Sequence, residues 1–155
     1  MYKTFLLVFI FAAFSIHLSN AQTPDDKITT FLMFEGEAEG AMNFYTSLFP
    51  DSEITSITRY GPEGPGEEGT VQFATFMLNG QTFIAIDSYI EHAFTFTPSI
   101  SLYVQCDTEE EVDELFHTLS EGGEVLMPLN QYPFSERYGW VNDRFGVSWQ
   151  LSLQN

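Results

Sequence analysis

The order of hydrophobic segments and turns runs twice along this chain, and no other feature restricts its fold as much. Residues 28–34 (ITTFLMF) have strand character, and 37–49 set Ala38, Ala41, Met42, Tyr45 and Leu48 at the spacing of one helix face. Pro50-Asp51 stops that helix. Extended segments follow at 53–59, 71–78 and 82–87, the last two joined by the hairpin dipeptide Asn79-Gly80. The second half keeps the order. A strand at 99–105 leads to Thr108-Glu109-Glu110-Glu111, a capping box in which Thr108 accepts from the Glu111 amide while the Glu111 carboxylate reaches back to the cap amide. The helix it opens presents Val112, Leu115, Phe116 and Leu119 and ends at Gly122-Gly123, before strands at 124–127, 138–142 and 147–153. Phe34 and Val104 lie 70 apart, Leu48 and Leu119 71, Ile54 and Val125 71, and Gly80 and Gly146 66. Matching elements at matching offsets mean one βαβββ unit used twice. The predicted fold is α+β, a single domain over 28–153 with modules at 28–90 and 98–153. Its mixed and antiparallel strands form a curved sheet that cups a concave cavity, with helices on the outer face.

Alternation along the strands sorts the faces. In 147–153, Val147, Trp149, Leu151 and Leu153 oppose Ser148, Gln150 and Ser152, and in 99–104, Ile100, Leu102 and Val104 oppose Ser99, Ser101 and Tyr103. The apolar sets cover the core against the helices. The opposite sets are either wet, the common state of a half-covered antiparallel sheet, or the lining of a ligand cavity. The cavity reading selects Thr29, Phe31 and Met33; Thr82, Ile84 and Ile86; Ser99, Ser101 and Tyr103; and Ser148, Gln150 and Ser152. Hydroxyls, an amide, a phenol and apolar groups suit a neutral small molecule. They supply no general base. Two loops flank the cavity as lids or dimer contacts. One is the Gly- and Pro-rich 60–70, expected to be mobile; the other is 128–138, with Tyr132, Phe134 and Tyr138.

The first 21 residues stand apart. Lys3 precedes an apolar run from Phe5 to Ile16 and then Ser19-Asn20-Ala21, the order of a cleavable signal. A membrane span needs about 20 apolar residues, which this run lacks. The expectation is a signal peptide at 1–21, a short tail at 22–27 and a secreted or periplasmic mature form, with an uncleaved anchor as the alternative. The whole chain has 22 acidic against 5 basic residues, and one of those bases is Lys3. Such acidity repels a phosphate backbone and excludes nucleic acid as a partner. Twelve of the 16 Phe lie beyond residue 21, enough with Trp, Tyr and branched aliphatics to build a core rather than a disordered chain.

Several conspicuous residues carry bland readings. Cys106 is the one cysteine, so no internal disulfide forms, and an acidic surrounding does not activate a thiol. His92, in the link, and His117, on the second helix, lie too far apart in the chain's elements to share a metal. Asp87 ends a strand with parity opposite to Ile84. The acids from Glu109 to Glu114 are a solvated helix start matched to the positive dipole end. Asp143 to Gly146 is turn chemistry, and Arg144 is expected to pair with nearby acids.

The duplicated βαβββ unit, with Phe44-Tyr45 late in its first helix, resembles the vicinal-oxygen-chelate superfamily of glyoxalases, bleomycin-resistance proteins and extradiol dioxygenases. The phrases FEGEAEGAMNFYTSLFPDSEI, FTFTPSISLYVQC, EEEVDELF and MPLNQYPFSERYGWVNDRFGVSWQL are closer still to its PhnB-like branch, which often carries a 3-demethylubiquinone methyltransferase label. The resemblance implies a homodimer and, in catalytic members, a divalent metal held by His and Glu on the first and last strand of each module. The matching positions here are Thr29 (or Thr30), Ile84, Ser99 and Gln150, a set unsuited to such an ion. With these positions the resemblance implies a small-molecule binder without cofactor, and the N-terminal segment makes it an exported one. The alternative is a divalent-metal-dependent lyase or dioxygenase-type enzyme with relocated ligands. The methyltransferase label is set aside, since no nucleotide-binding βα signature is present.

Overall fold

A computed structural model describes residues 27–154 of the chain; the segment read as a signal, 1–21, lies outside them. The first module consists of β1 (Thr30–Phe34), α1 (Ala38–Leu48), β2 (Glu53–Arg59), β3 (Val71–Leu78) and β4 (Gln81–Asp87). The second repeats it as β5 (Leu102–Cys106), α2 (Glu109–Ser120), β6 (Glu124–Tyr132), β7 (Ser135–Asn142) and β8 (Ser148–Leu153). Each makes a four-stranded sheet, in the orders β1-β4-β3-β2 and β5-β8-β7-β6. The first strand of each runs parallel to the last, and the other pairings are antiparallel. The fold is α+β, two βαβββ modules without a closed barrel.

The predicted parity holds in both sheets. Leu32, Phe34, Phe83 and Ala85 in the first, and Trp149, Leu151 and Val141 in the second, lie in one continuous core with Met42, Tyr45, Val112 and Leu119 from the helices. Helix α1 begins where Ala38 and Ala41 allow close approach to the sheet, both fully buried. Helix α2 lies on Gly139, where any Cβ would strike the Phe116 ring. Thr108 caps α2 by accepting from the Glu111 amide at 3.2 Å, and the Glu111 carboxylate accepts from the Asp107 amide at 2.8 Å, one residue before the cap. Asn79 and Gly80 both take positive φ, 46° and 78°, as the two-residue β3–β4 turn requires.

Three expectations are corrected. Strand β5 starts at Leu102, so Ser99 precedes it and Ile100, predicted to face the core, is 80 % exposed. Pairing shows why. Phe31 faces Ile84 in one sheet and Tyr103 faces Gln150 in the other, so the first strands are related by 72 residues and the last by 66. Ser101, not Ser99, is thus the counterpart of Thr29, and a shift of two keeps the predicted face. Next, 128–138 is not a loop but a long hairpin, with β6 running to Tyr132 and β7 starting at Ser135; Tyr132 stacks on Phe134 with centroids 5.6 Å apart. Finally, the 60–70 loop is tied down. Tyr60 and Thr70 close its neck by backbone bonds, Gly69 donates to the Tyr60 carbonyl at 2.9 Å, and the buried Tyr60 ring fills its interior against Gly66.

Gly123 gives a direct test of module packing, since a Cβ there would collide with the backbone carbonyl of Asn142, which has no side-chain freedom to yield. Gly123→Ala is expected to lower unfolding free energy by about 1–3 kcal/mol, the range of overpacking costs. The urea midpoint measures it.

Candidate functional site

The first strands of the two modules are edge strands, and they face each other across a groove of about 680 Å³. Thr29 and Phe31 line one wall, Ile100, Ser101 and Ser148 the other, and the link contributes Thr95, Phe96 and Thr97. None of the fourteen lining side chains is ionisable, in a chain of net charge −17. The volume lies within the range of small-molecule sites. Of the residues selected from the sequence, Thr29, Phe31, Ser101 and Ser148 meet in this groove. Tyr103 stands 55 % exposed in a neighbouring hollow with Ser101, Leu102 and Gln105. Met33, Thr82, Ile84 and Ile86 lie half-buried on the same face of the first sheet. Ser99 bonds Thr97 at 2.7 Å, outside the strand.

The polar face of the second sheet is knitted together. The Trp140 indole N–H donates to Ser148 Oγ at 2.8 Å, and Ser148 and Ser101 hydroxyls lie 2.9 Å apart. Tyr138 donates to Gln150 Oε1 at 2.8 Å, and Ser152 donates to Ser135 Oγ at 3.0 Å. Gln150 and Ser152 are therefore held by neighbours on β7. Burial raises the Tyr138 phenol above its usual range, with the Tyr103 and Tyr132 phenols adding to the effect.

The donor set does not fit a catalytic metal of the kind the resemblance implies. Its matching positions hold a hydroxyl, an alkyl chain, a second hydroxyl and the amide of Gln150 with its oxygen already bonded. Among the described residues no group of three or more His, Cys, Asp or Glu converges on a point. His92 bonds Ser88 Oγ at 3.0 Å and packs at a tilt against Phe94, while His117 is exposed on α2. Cys106 is fully buried, and burial, aided by Glu111 and Asp107, pushes its thiol up to about 12.

Two residues with bland readings turn out to organise the core. Asp143 is buried and accepts four bonds: from Tyr45 Oη at 2.7 Å, Trp149 Nε1 at 2.8 Å, and the amides of Phe145 at 2.8 Å and Val147 at 3.0 Å. Burial lifts its carboxyl above the usual range against the pull of these donors. Asp87, also buried, accepts from the amides of Gly36, Ala38 and Val71 at 2.8, 2.9 and 2.9 Å, which fills the amino end of α1. An aspartate in a turn and another at a strand end read as surface residues in sequence. The signal that could have marked Asp143 is its place in the one turn that feeds Trp149. Arg144 does not pair with an acid; its guanidinium sits 4.2 Å from the Phe44 ring centre and 5.0 Å from that of Phe145. The two ion pairs formed among the described residues are Arg59–Glu39 and Arg137–Asp113, both at 2.6 Å.

Two βαβββ modules, each a four-stranded sheet with a helix packed on it, are the architecture of the vicinal-oxygen-chelate superfamily. The profile of the 3-demethylubiquinone-9 3-methyltransferase family matches residues 26–152, and the chain belongs to that family, the PhnB-like branch of the superfamily. It is similar to the PhnB protein from Bacillus cereus, which carries a 3-demethylubiquinone-9 3-methyltransferase label: 67 % identity, 83 % of this chain and 99 % of that one covered, TM-score 0.82. Protein PA1353 from Pseudomonas aeruginosa is 25 % identical over 82 % of this chain and 96 % of that one, with TM-score 0.72. A glyoxylase/bleomycin resistance protein/dioxygenase domain from Frankia shares the fold at 15 % identity, TM-score 0.58, covering 83 % and 91 % of the two chains. No curated protein matches.

Asp143 generates a paired test. Tyr45→Phe removes one bond to a buried carboxylate and is expected to cost about 1.5–3 kcal/mol in chemical unfolding. The pH dependence has a definite sign. A raised folded-state value means the fold favours protonated Asp143, so its contribution is present below the unfolded carboxylate value of about 3.9 and is lost as pH rises through the folded value. The stability advantage of wild type over Asp143→Asn should shrink between pH 4 and pH 7; an advantage that grows over that interval contradicts it.

Proposed function

We propose that this chain is an exported protein that binds an uncharged small molecule in the groove between its two modules, without a metal ion. The observation that carries this reading is the neutrality of the groove. Among the described residues no acid lines it, and its lining is hydroxyl, amide and apolar. A site for a divalent ion or a phosphate needs charge at its walls, whereas a neutral guest needs apolar contact and a few fixed polar groups. Methyl transfer gains no support from the βα turn of the first module. The Gly36 and Ala38 amides that would cradle a cofactor's anionic group already bond Asp87.

The matching donor positions support the metal-free reading, and metal analysis of the purified mature chain tests it. No stoichiometric divalent ion should survive dialysis; one that does, and that Gln150→Ala removes, overturns the proposal in favour of an enzyme with relocated ligands. Export is tested by the mass of the protein recovered outside the cytoplasm, which should correspond to a chain starting at Gln22. Among the described residues no helix is long and apolar enough to cross a membrane.

The partner proposed for the outer part of this face is a second copy of the chain. Phe73 and Tyr103 project from it, 43 and 55 % exposed, a cost that a homodimer removes. Light scattering should give about twice the monomer mass, and Phe73→Glu, on the face of β3 away from the helices, should give the monomer.

A further inference from the structure

The hydrogen bonds at the floor of the groove have a direction, and that direction restricts the guest. An indole N–H only donates, so Trp140 uses one lone pair of Ser148 Oγ. The Ser148 hydroxyl is buried, and Ser101 Oγ, 2.9 Å away, is the one acceptor within its reach among the described contacts. Ser101 in turn reaches the Pro98 carbonyl at 3.3 Å. Only one arrangement gives both serine protons an acceptor: Trp140 donates to Ser148, Ser148 to Ser101, and Ser101 to Pro98. Reversing the middle bond would strand a buried hydroxyl proton, since the indole cannot accept it. Ser101 therefore meets the groove with its proton engaged and a lone pair to spare.

From this we infer that the groove selects an uncharged aromatic molecule bearing an O–H or N–H donor, with the donor on Ser101 Oγ and the ring between Phe31 and Ile100. The inference rests on the groove being the binding site. Phe31 is half exposed and Ile100 almost wholly so, and both lie on the groove walls; a ring covers apolar surface that water otherwise wets. An anion finds no base in the lining, and the net charge of −17 opposes its approach. An acceptor-only guest meets a filled donor at Ser101 and gains apolar contact alone.

Two probes of one shape separate the terms: phenol carries a donor, and anisole carries the same ring with the donor methylated. Titration into the full chain from Gln22, followed by the amide resonance of Ser101 and the indole N–H of Trp140, should give saturable shifts with both. Phenol should bind about tenfold more tightly, the worth of one net hydrogen bond. Ser101→Ala should bring phenol down to the affinity of anisole and leave anisole unchanged, a result that a merely unfolded groove cannot produce. Equal affinities in wild type, or tighter anisole, overturn the donor rule while the binding site stands. If neither ring moves a resonance of the groove up to its solubility limit, the site itself is refuted and the donor rule with it.

Discussion

The carboxylate of Asp143 takes a proton donor from each module, Tyr45 on α1 and Trp149 on β8, and two backbone amides of its own turn. Around that point the aromatic core is assembled: the Tyr45 and Trp149 rings meet edge to face at 5.1 Å, and Phe49 stacks on Trp149 at 5.8 Å. The modules contribute a helix and a strand to one junction, so the relation between the two sheets follows from it. The groove lies along their facing edges. Burying a carboxylate is costly, and four donors are what make it tolerable.

Charge is distributed so that the groove escapes it. Arg59 and Arg137 are engaged by acids on α1 and α2, and Arg144 lies on two phenyl rings. The carboxylates that are buried serve backbone amides and aromatic donors. What remains at the seam is a hydroxyl and hydrocarbon surface, a poor place to develop charge in a reaction and a good one to hold a neutral guest. The family label and the chemistry of the groove thus speak of different things: the first describes ancestry, the second what these side chains can do.

Most of the architecture was legible because it rests on periodicity. Strand parity placed Val147, Trp149 and Leu151 in the core, and the turn dipeptide Asn79-Gly80 set the β3–β4 register. The buried aspartates were not legible, because a carboxylate in a turn looks the same in sequence whether its partners are water or four protein donors. The hairpin through Tyr132 lacks the alternation of the other strands, and β6 holds Pro128 because it lies at the sheet edge, where a missing ladder donor is tolerated. Of the residues selected from the sequence, alternation brings Thr29, Phe31, Ser101 and Ser148 to one groove. Ser99 lies before β5, because counting offsets between modules ignores where each strand begins.

The relation between β1 and β5, 72 residues rather than 70, bears on how two copies of a module drift apart. A pleated strand returns to the same orientation every second residue, so gains or losses in even steps at its flank leave the inherited lining facing inward, whereas a single-residue change turns it outward. The copies here differ by such an even step. The six-residue difference between the offsets of the first and last strands is taken up in the segments between them, and the paired residues keep their orientation.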